Sequence, residues 1–581
     1  MLKNLAYVWP YLRPHRRKLI LGVLAIVASV LMSMTGPLLL GWSIDAIRRG
    51  APQAELLRYA GMLLGFTVAT GIFSYTQRMI LVKMSREIEF DMRNDFFEHL
   101  EKQPPAFFIE HPTGDLMARA TNDMGAVRML CGPAIMYATN TVVTALFAMI
   151  FIVRINFSLS MLALFTMPLV AISTKYFGGR IHDLFTGVQE KYANVTTKVQ
   201  ESLSGVRVVR AYAQEAREEA EFRRVTQEHL DASMRLVGWS AAFGPLLQSL
   251  VGLGFVAVLW YGGLLVIRYQ ITIGQFVSFQ LFLGRLVFPM IAAGFLVNMA
   301  QRGTASMIRL RKILDVQPAI RDEGPLTDPR EIQGTVQVRN LTFAYGPGLD
   351  PALANIDLQV QAGQTVAIVG RTGSGKSTLL SLIPRLLDPP EGSLFVDGVD
   401  VRRMPLARLR SAISTVPQET FLFSDTIRAN IALGRARATE EEIREAARMA
   451  GLEPDLAAFP EGLDTIVGER GLTLSGGQKQ RVALARALLR DSRILLLDDC
   501  LSAVDTHTEE EILRNLRTLF KGRTVFLVSH RISTVKDANV IVVLEHGRIA
   551  ERGTHAQLIT SGGLYADLYQ RQLLEEELEA V

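Results

Sequence analysis

The sequence predicts a chain of two parts, an α-helical membrane domain with six spans followed by a soluble α/β domain. Long uncharged runs are concentrated in residues 1–302, whereas the chain after about residue 310 has the mixed polarity of an ordinary soluble domain. A glycine-rich loop in the second part lies between an apolar run and a predicted helix, which is a strand–loop–helix arrangement. The length of 581 residues exceeds what one hydrophobic core normally holds, so several domains are expected.

Composition and charge narrow the classes of function. Hydrophobic residues make up 49% of the chain and charged residues only 20%, which is a high apolar content for a soluble protein. The net charge of +5 is small for this length, and the lysines and arginines flank apolar runs instead of forming one basic stripe, so we expect no nucleic-acid partner. The two cysteines, Cys131 and Cys500, are too few for a disulfide framework.

Six apolar runs are each long enough to cross a bilayer. A helix needs about 18–20 apolar residues to cross about 30 Å of hydrocarbon. One such run could be a buried core helix, but six of them in the first part favour membrane spans and a lipid bilayer as partner. The runs are residues 19–44, 59–77, 129–153, 155–174, 236–267 and 269–301, the last interrupted by Arg285.

The charged connections predict the orientation of the spans. Four basic residues between positions 13 and 18 precede the first span, which places the N-terminus in the cytoplasm. Six spans return the chain to the same side, so the second part is cytoplasmic as well. Connections 78–128 and 175–235 are long, charged and poor in helix breakers, so we expect helices that extend into the cytosol.

Within the first part, two stretches and one charge are open to two interpretations. Residues 111–124 and 201–215 are either turn-points that dock on another domain or solvated hairpins. Arg285 interrupts the last span far from its flanking arginines, Arg268 and Arg302, so snorkelling to the interface is difficult. A charge in mid-membrane is costly and usually faces a cavity or a partner, so we favour a cavity-facing role.

The stretch GRTGSGKS at 370–377 fits the phosphate-binding pattern G-x-x-x-x-G-K-[ST]. It follows the apolar run TVAIV and precedes a predicted helix, which is the context that the pattern needs. Its glycines let backbone N–H groups turn inward around phosphates, and the helix N-terminus adds partial positive charge. Lys376 supplies charge to the β and γ phosphates, and Ser377 offers a hydroxyl to Mg²⁺. The loop therefore predicts a ligand that carries phosphates, with Mg²⁺ as its ion.

The run ILLLDD at 494–499 is predicted as a matching second strand. Asp498 ends the strand and would reach Mg²⁺ directly or through water, because a phosphate loop needs a metal-holding acid from a neighbouring strand. Three other residues would more often be structural if taken alone, but they occur together and in order. Gln418 follows a strand-like run, His530 ends another and could contact a γ-phosphate, and Tyr345 could stack on a base.

With these motifs in this order, essentially the whole chain resembles an ABC exporter half-transporter with a type I exporter fold. A further motif, LSGGQ at 474–478, places serine and glycine before a predicted helix, as the signature of this family does. The segment 465–471 resembles the exporter segment that contacts the intracellular helices. The resemblance rests on Walker A at 370–377, Walker B at 494–498, the signature, the Q-loop Gln418, the switch His530 and the D-loop ending at Asp505.

The resemblance implies a dimer in which two ATP molecules lie between Walker A of one chain and LSGGQ of the other. It also implies that 111–124 and 201–215 transmit closure to the spans. The expected domains are a transmembrane domain at 1–310, a linker at 311–333, a nucleotide-binding ATPase domain at 334–565 and a helical tail at 566–581, which either pairs with a partner's tail or is solvated.

The residues expected to act fall into three groups. The nucleotide would be bound by Tyr345, Gly370, Arg371, Thr372, Gly373, Ser374, Gly375, Lys376, Ser377, Thr378, Leu474, Ser475, Gly476, Gly477 and Gln478. Mg²⁺ would be held by Ser377, Gln418 and Asp498, and the catalytic residues would be Asp499, His530 and Gln418.

One departure from the family pattern changes the expectation for catalysis. Fully active members of this family have Glu after the Walker B Asp, where it polarises the attacking water, and this chain has Asp499. The shorter side chain draws the carboxylate oxygens back by roughly 1–1.5 Å, and general-base help depends on hydrogen-bond reach. Because LSGGQ matches the consensus, the pattern favours a heterodimer whose degenerate site includes Asp499. A homodimer that hydrolyses ATP slowly at two such sites is the alternative.

The expected function is ATP-driven, multidrug-type export of hydrophobic or amphipathic small molecules across the bacterial cytoplasmic membrane. The partner would be a second half-transporter chain with a competent Glu. Export of lipid or peptide, and a channel or regulator gated by ATP, are the alternatives. We assign no function to Cys500, which stands where the family usually has a small Ala.

Overall fold

The structure is a computed structural model that describes residues 7–165, 167–329, 331–346 and 348–579. These residues form two compact units. One unit contains the described residues up to Glu101 together with 112–316, and the other contains residues 102–111 and the described residues from Gln317 onward.

The first unit contains six helices that are apolar and long enough to cross a membrane, which confirms the six predicted spans. Both α2 and α5, with 49 and 53 residues, are far longer than the roughly 20 residues that a bilayer needs. The six helices are α1, Trp9–Arg48; α2, Gln53–Glu101; α3, Thr113–Ile155; α4, in two described parts, Phe157–Phe165 and Met167–Ser204; α5, Glu215–Ile267; and α6, Ile273–Leu314.

A clamp of small and polar residues joins the end of α1 to the beginning of α6. A Cβ atom on Gly274 would lie 2.0 Å from the Gly41 carbonyl oxygen, so only glycine permits this approach of the two backbones. The Asp45 carboxylate accepts hydrogen bonds from the Thr272 hydroxyl at 2.6 Å and the Gly274 N–H at 2.8 Å. These contacts fix α1 against α6 near one end of both helices.

Ion pairs join α2, α3 and α6. They lie toward the end of α6 that is opposite its contact with α1. The Asp123 carboxylate on α3 accepts from Arg309 Nε on α6 at 3.0 Å. Because Asp123 is buried, this pair stabilises the packing only when both partners are present. Buried Glu89 on α2 contacts three arginines, Arg86 at 3.1 Å, Arg93 at 2.9 Å and Arg128 at 3.3 Å.

The two stretches with open interpretations have different structures. Residues 113–124 form the first turns of α3, which contain a π-helical segment, Arg119–Asp123, and belong to the first unit. The segment that groups with the second unit is 102–111, just before that stretch, with the short helix Pro105–Glu110. Residues 201–215 contain a short helix, Val206–Ala211, in the turn between α4 and α5.

The second unit is built on two sheets. A six-stranded sheet has the order β10-β9-β3-β8-β7-β6, in which only β10 is antiparallel to its neighbour. A four-stranded antiparallel sheet has the order β2-β1-β4-β5. The strands are β1, Val336–Phe343; β2, Leu353–Val360; β3, Thr365–Gly370; β4, Leu394–Val396; β5, Val399–Asp400; β6, Ile413–Val416; β7, Ile494–Asp498; β8, Thr524–Val528; β9, Val540–Glu545; and β10, Arg548–Gly553.

Helices fill the remainder of this unit and confirm the predicted α/β class. The Lys376 helix directly follows β3, as the strand–loop–helix pattern predicts. The helices are α7, Lys376–Leu382; α8, Leu406–Ser411; α9, Ile427–Ala432; α10, Glu440–Met449; α11, Glu453–Ala458; α12, Gly476–Leu489; α13, Thr506–Phe520; α14, Ile532–Val535; α15, His555–Ser561; and α16, Leu564–Glu579.

The parallel strands are buried on both faces, which explains why they read as continuous apolar runs. In β7, Leu495 and Leu497 pack into one core, and Ile494 and Leu496 pack into the other. The first core lies against α9, α10 and α12, and the second lies between the two sheets. The two cores therefore position the strand ends, at which the following loops begin.

Most of the predicted linker and the described part of the tail belong to the second unit and form hydrogen bonds within it. In the linker, the Thr327 N–H donates to the Arg403 carbonyl at 2.7 Å. The tail lies in α16, where Tyr565 is fully buried in the domain core and its hydroxyl lies 2.7 Å from His555 Nδ1. Further along α16, the Gln572 side chain accepts from the Ile532 N–H at 2.8 Å. The first turns of the tail therefore pack on their own chain; residues 580–581 lie outside the described residues.

Candidate nucleotide-binding site

The site lies at the edge of the six-stranded sheet where the parallel strands end. In the register of this sheet, Asp498 of β7 pairs with Val528 of β8, and Val528 also pairs with Ile368 of β3. The loops after these strands therefore begin side by side. This is the edge at which parallel α/β sheets bind their ligands.

The phosphate loop has the backbone that its glycines permit. Gly375 has φ +98° and precedes α7, and a Cβ atom there would lie 2.7 Å from the Ala352 carbonyl oxygen. A side chain at this position would be strained and would clash with the main chain. Lys376 folds across the loop, where its Nζ donates to the Gly370 carbonyl at 2.8 Å and the Arg371 carbonyl at 2.9 Å. The loop thus encloses a cationic group.

A buried hydroxyl in the loop supports phosphate binding. Ser374 is buried, and its Oγ has no hydrogen-bond partner among the described residues. An orphaned buried donor is costly unless a ligand satisfies it, and a phosphate oxygen is a suitable acceptor. Arg371, Thr372 and Gly373 lie exposed along the rim of the loop. The donors and the charge of this loop therefore fit the phosphates of ATP.

Tyr345 and Thr378 are joined across the beginning of α7. The Tyr345 hydroxyl lies 2.8 Å from Thr378 Oγ1, and its ring packs edge-on against Phe343 with the centroids 5.4 Å apart. About 62% of Tyr345 is exposed, so one face of the ring can stack on a base. The structure thus places the predicted base-stacking ring beside the phosphate loop.

The site contains two opposite charges, on Lys376 and Asp498, and burial disfavours the charged form of both. Burial lowers the pKa of the Lys376 ammonium, although the carboxylates of Asp498 and Asp499 act in the opposite direction. Burial also raises the pKa of the Asp498 carboxyl, against the hydrogen bond from Ser377, and the nearby charge of Asp499 adds to the increase. Each charge thus lacks sufficient compensation from the protein alone, and bound phosphate and cation would supply it.

The residues fit Mg²⁺ only if a nucleotide shares it. Ser377 lies close enough to Asp498 for its hydroxyl to favour the ionised carboxylate, so a hydroxyl and a carboxylate oxygen lie near each other. Among the residues that the structure describes, no group of three or more His, Cys, Asp or Glu could hold a metal by itself. Mg²⁺ characteristically takes one or two protein ligands together with phosphate oxygens.

Asp499 lies in the turn that follows β7 and is held by its backbone. Its φ is +47°, a left-handed conformation that Asp tolerates better than most residues. Its N–H donates to the Val528 carbonyl at 2.9 Å, and its own carbonyl accepts from the Ser502 hydroxyl at 3.0 Å. Cys500, the next residue, is buried, and burial raises the pKa of its thiol to about 12, so it is not a nucleophile.

Gln418 and His530 lie where the sequence predicted, after β6 and β8. Both side chains are exposed at this edge of the sheet. His530 lies two residues past the end of β8, and Gln418 lies two residues past the end of β6. The structure therefore brings Gln418, Asp498, Asp499 and His530 to one edge, together with the phosphate loop.

The signature motif is built as a helix N-terminus on another part of the same domain. Ser475 caps α12, and Gln478 returns the bond: its Oε1 accepts from the Ser475 N–H at 2.9 Å. Leu474 and Gly477 are buried, whereas Ser475 and Gly476 are exposed. In the described part of the chain, no hydrogen bond links residues 474–478 to the phosphate loop. The motif is therefore presented outward and not folded onto its own chain's loop.

Sequence reasoning missed the side chains that brace the signature helix. Gln480 Nε2 donates to the Ser502 hydroxyl at 3.0 Å, and its Oε1 accepts from the Ala503 N–H at 3.0 Å. Asp455 accepts from Gln478 at 2.9 Å and pairs with Arg481 at 2.7 Å. The Gln480 bonds tie the signature helix to the D-loop, residues 502–505, and the Asp455 bonds tie it to α11. Only the three-dimensional contacts reveal them.

A second missed group involves the residue that follows His530. This residue, Arg531, forms an ion pair with buried Glu509 of α13 and donates to the Val504 carbonyl at 3.3 Å. Thr534 completes the group with a 2.5 Å hydrogen bond to Glu509. The switch residue is thus attached to the D-loop and to the helix that follows it.

The fold and the site together define an ATP-driven membrane transporter. Residues 19–290 match the family model of the ABC transporter transmembrane region, and residues 353–502 match that of the ABC transporter itself. The chain belongs to the ABC transporter family. It is an integral membrane protein and an ATPase coupled to transport, as the sequence predicted.

Relatives and solved structures give a finer comparison. The chain is 38% identical to the probable multidrug resistance ABC transporter protein YheI of Bacillus subtilis, covering 99% of this chain and 98% of that protein. It is 36% identical to the multidrug resistance-like protein MdlA of Escherichia coli, over 98% and 96%. It is 35% identical to an ATP-dependent lipid A-core flippase of Syntrophus aciditrophicus, over 97% and 94%.

A solved structure of a bacterial Atm1-family ABC exporter with ATP bound matches with a TM-score of 0.76 at 28% identity, covering 97% of this chain and 98% of that one. This confirms the predicted exporter fold and the resemblance to exporters. Exporters of this family act as dimers in the membrane.

Proposed function

We propose that this chain is one half of a heterodimeric, multidrug-type exporter and carries a degenerate ATP site. The transported molecules are hydrophobic or amphipathic and small. The membrane is the bacterial cytoplasmic membrane, with the second unit in the cytoplasm. The single observation that carries the proposal is Asp499, a shortened acid in a fixed turn directly after the strand that delivers Asp498.

The turn around Asp499 supports a loss of reach. The N–H and the carbonyl of Asp499 are both hydrogen-bonded, and β7 is buried along its whole length. The backbone therefore has little freedom to move forward by the length of the missing methylene. General-base help is worth about 10²–10⁴-fold and requires hydrogen-bond contact with the attacked water, so a site with Asp499 hydrolyses ATP slowly.

The intact signature supports a complementary role for this chain. Ser475 and Gly476 are exposed at the N-terminus of α12, whose N–H groups favour a phosphate. In the proposed dimer, they complete the site of a partner chain that carries Glu. The phosphate loop and Asp499 of this chain, closed by the partner's signature, form the slow site.

The residues of the slow site bind and position ATP. Lys376 and the loop N–H groups hold the phosphates, Ser374 donates to a phosphate oxygen, and Tyr345 stacks on the base. Ser377, Asp498 and Gln418 would hold Mg²⁺, which neutralises phosphate charge when bound. His530, attached to the D-loop through Arg531, contacts the γ-phosphate. Closure on ATP then shifts the spans outward, because ATP binds the closed state better.

Two kinds of substrate are supported by relatives. The names of two relatives refer to multidrug resistance and that of a third to a lipid A-core flippase. Their identities to this chain are similar, so small drugs are the first candidate and lipids the second. A channel gated by ATP lacks such support; vanadate-sensitive uptake against a gradient in vesicles would exclude it.

Co-purification tests the heterodimer. Two differently tagged copies of this chain are expressed in the native host, and each tag is captured from mild detergent. We expect each capture to retain one distinct ABC chain with Glu after its Walker B Asp and to lack the other tagged copy. Recovery of both tags in one complex with steady ATP hydrolysis would instead establish the slow homodimer.

A further inference from the structure

A cavity lies within the first unit between α1, α2 and α6. Its volume is about 540 Å³, within the range of about 300–1,000 Å³ that is common for sites of drug-sized ligands. The lining is mostly apolar and includes Leu40, Leu63, Phe66 and Leu281. Gly36 and Pro37 of α1 also border it, and a Cβ atom on Gly36 would meet only the Leu63 side chain at 4.0 Å. The space beside Gly36 is therefore open.

Among the described residues that line this cavity, only Arg285 is charged. It lies about three turns into α6, or about 18 Å along the axis from Ile273, and therefore well inside the hydrocarbon layer. About half buried, it cannot easily place its guanidinium at the interface. Its charge is therefore displayed to the cavity.

The guanidinium has donors to spare. NH1 donates to the Ser33 hydroxyl at 2.9 Å and lies 3.9 Å from the Met34 sulfur. Nε and NH2 make no hydrogen bond to any residue that the structure describes. Within the same described residues, no carboxylate lies within ion-pair distance of Arg285. The edge formed by Nε and NH2 can bind a carboxylate or phosphate through two parallel hydrogen bonds.

The other polar groups of the cavity are already satisfied. The hydroxyls of Thr67 and Thr70 donate to the carbonyls of Leu63 and Phe66, each at 2.8 Å. The Ser33 hydroxyl donates to the Val30 carbonyl at 2.8 Å, which leaves its oxygen free to accept from Arg285. Among the described lining residues, the unused side-chain hydrogen-bond donors are thus Nε and NH2 of the Arg285 cation.

We propose that this cavity binds the transported substrate and that the substrate is an amphiphile with one anionic group, a carboxylate or a phosphate, on an apolar body. Arg285 binds the anion through Nε and NH2, and the apolar body contacts Leu40, Phe66 and Leu281. An uncompensated cation in the membrane favours an anionic ligand and disfavours the cationic ligands that an apolar cavity alone would accept. This inference rests on the proposed export function and adds the sign of the substrate's charge.

Binding to the purified exporter in nanodiscs tests the charge. The probes are dansylaminoundecanoic acid and its methyl ester, which differ in the charge of one end and share the apolar body and the fluorophore. We expect the acid to bind about ten- to a hundredfold more tightly than the ester, which is the range for a charged hydrogen-bonded pair. Equal affinities would overturn the proposal without any need for a variant.

Variants then assign the effect to Arg285. Arg285→Gln should remove the preference for the acid, and Arg285→Lys should restore part of it, because a lysine keeps the charge but lacks the two-bond edge. Arg268→Gln is the matched control: it removes an exposed arginine just after α5, outside this cavity, and should leave the preference intact. A preference that survives Arg285→Gln would refute the assignment.

Vesicle transport separates substrate from resident lipid. We expect ATP-dependent movement of the acid, with little movement of the ester. Tight binding of the acid without movement, in vesicles that move the ester, would identify a resident anionic lipid site and overturn the proposal. If neither probe moves, the proposed export function fails, and the binding experiment still decides the charge of the cavity's ligand.

Discussion

Replacing Asp499 with a glutamate should raise hydrolysis and lower stability in the same protein. The added methylene extends the carboxylate by about 1.5 Å, roughly one C–C bond, from a backbone that is fixed at both its N–H and its carbonyl. If the slow site lacks only reach, part of the roughly 10²–10⁴-fold contribution of a general base should return. We expect a rise of about tenfold or more at this site.

The same substitution has a conformational cost. The φ of +47° at this position suits Asp, whose side chain tolerates the left-handed region, and Glu has no such advantage. A cost of about 1 kcal/mol is expected, which lowers the melting temperature by roughly 2–4 °C. Asp491→Glu is the matched control, because Asp491 is exposed, has φ +57° and lies before β7 and away from the site. It should show the loss of stability without the gain in rate.

The assay must isolate the slow site from the competent one. Phosphate release is measured in a complex whose partner chain has its catalytic Glu replaced by Gln, so that the remaining turnover belongs to the site that contains position 499 of this chain. Asp499→Asn serves as the inactive reference. If Asp499→Glu leaves phosphate release at the level of the wild-type chain, while ATP still binds, reach is not what limits this site and the reasoning is wrong.

Three further substitutions test the site. Lys376→Ala should weaken photolabelling of this chain by azido-ATP about tenfold or more, because it removes the charge paired with phosphate, and the partner's labelling should persist. Asp498→Asn should raise the melting temperature of the nucleotide-free protein at pH 7 by about 2 °C or more, because the raised pKa of the Asp498 carboxyl means that the ionised form destabilises the folded state once the pH exceeds the ordinary carboxyl pKa. The gain should vanish toward about pH 4, and no gain at pH 7 would contradict this account. Gln480→Ala should lower phosphate release by the complex severalfold with unchanged azido-ATP labelling, since the D-loop loses bonds of 3.0 Å to Ser502 and Ala503; equal loss in both measurements would indicate misfolding.

The sequence was sufficient where a local pattern determines the structure. Length and polarity define the spans, and the strand–loop–helix around 370–377 requires its own backbone, so these elements form as predicted. Burial of both faces of the parallel sheet also explains why β7 reads as ILLLD. The motifs could be placed on strands and helices because each one lies at the end of a strand or at the beginning of a helix.

The sequence could not show contacts between residues that are far apart in the chain. Nothing local marks Gln480 as the brace of the D-loop or Glu509 as the partner of Arg531, because each bond joins residues about 20 or more positions apart. The short helix Pro105–Glu110 lies just before the stretch that the polar pattern singled out. The cavity at Arg285 is lined by residues of α1, α2 and α6, which are far apart in the sequence. Its charge was visible in the sequence, but its unsatisfied donors were not.

The electrostatics of the site fit the role that we propose, in which this chain holds ATP firmly and hydrolyses it slowly. Burial lowers the pKa of Lys376 and raises that of Asp498, so both charges are under-compensated before a ligand arrives. Phosphates and a cation relieve both, and the buried Ser374 hydroxyl gains an acceptor, so binding stabilises the domain. In the proposed site, none of these groups polarises the attacking water, and that role belongs to Asp499. In the proposed heterodimer, shortening this one carboxylate therefore reduces turnover and leaves the binding energy intact, as a site that closes a dimer without driving each cycle requires.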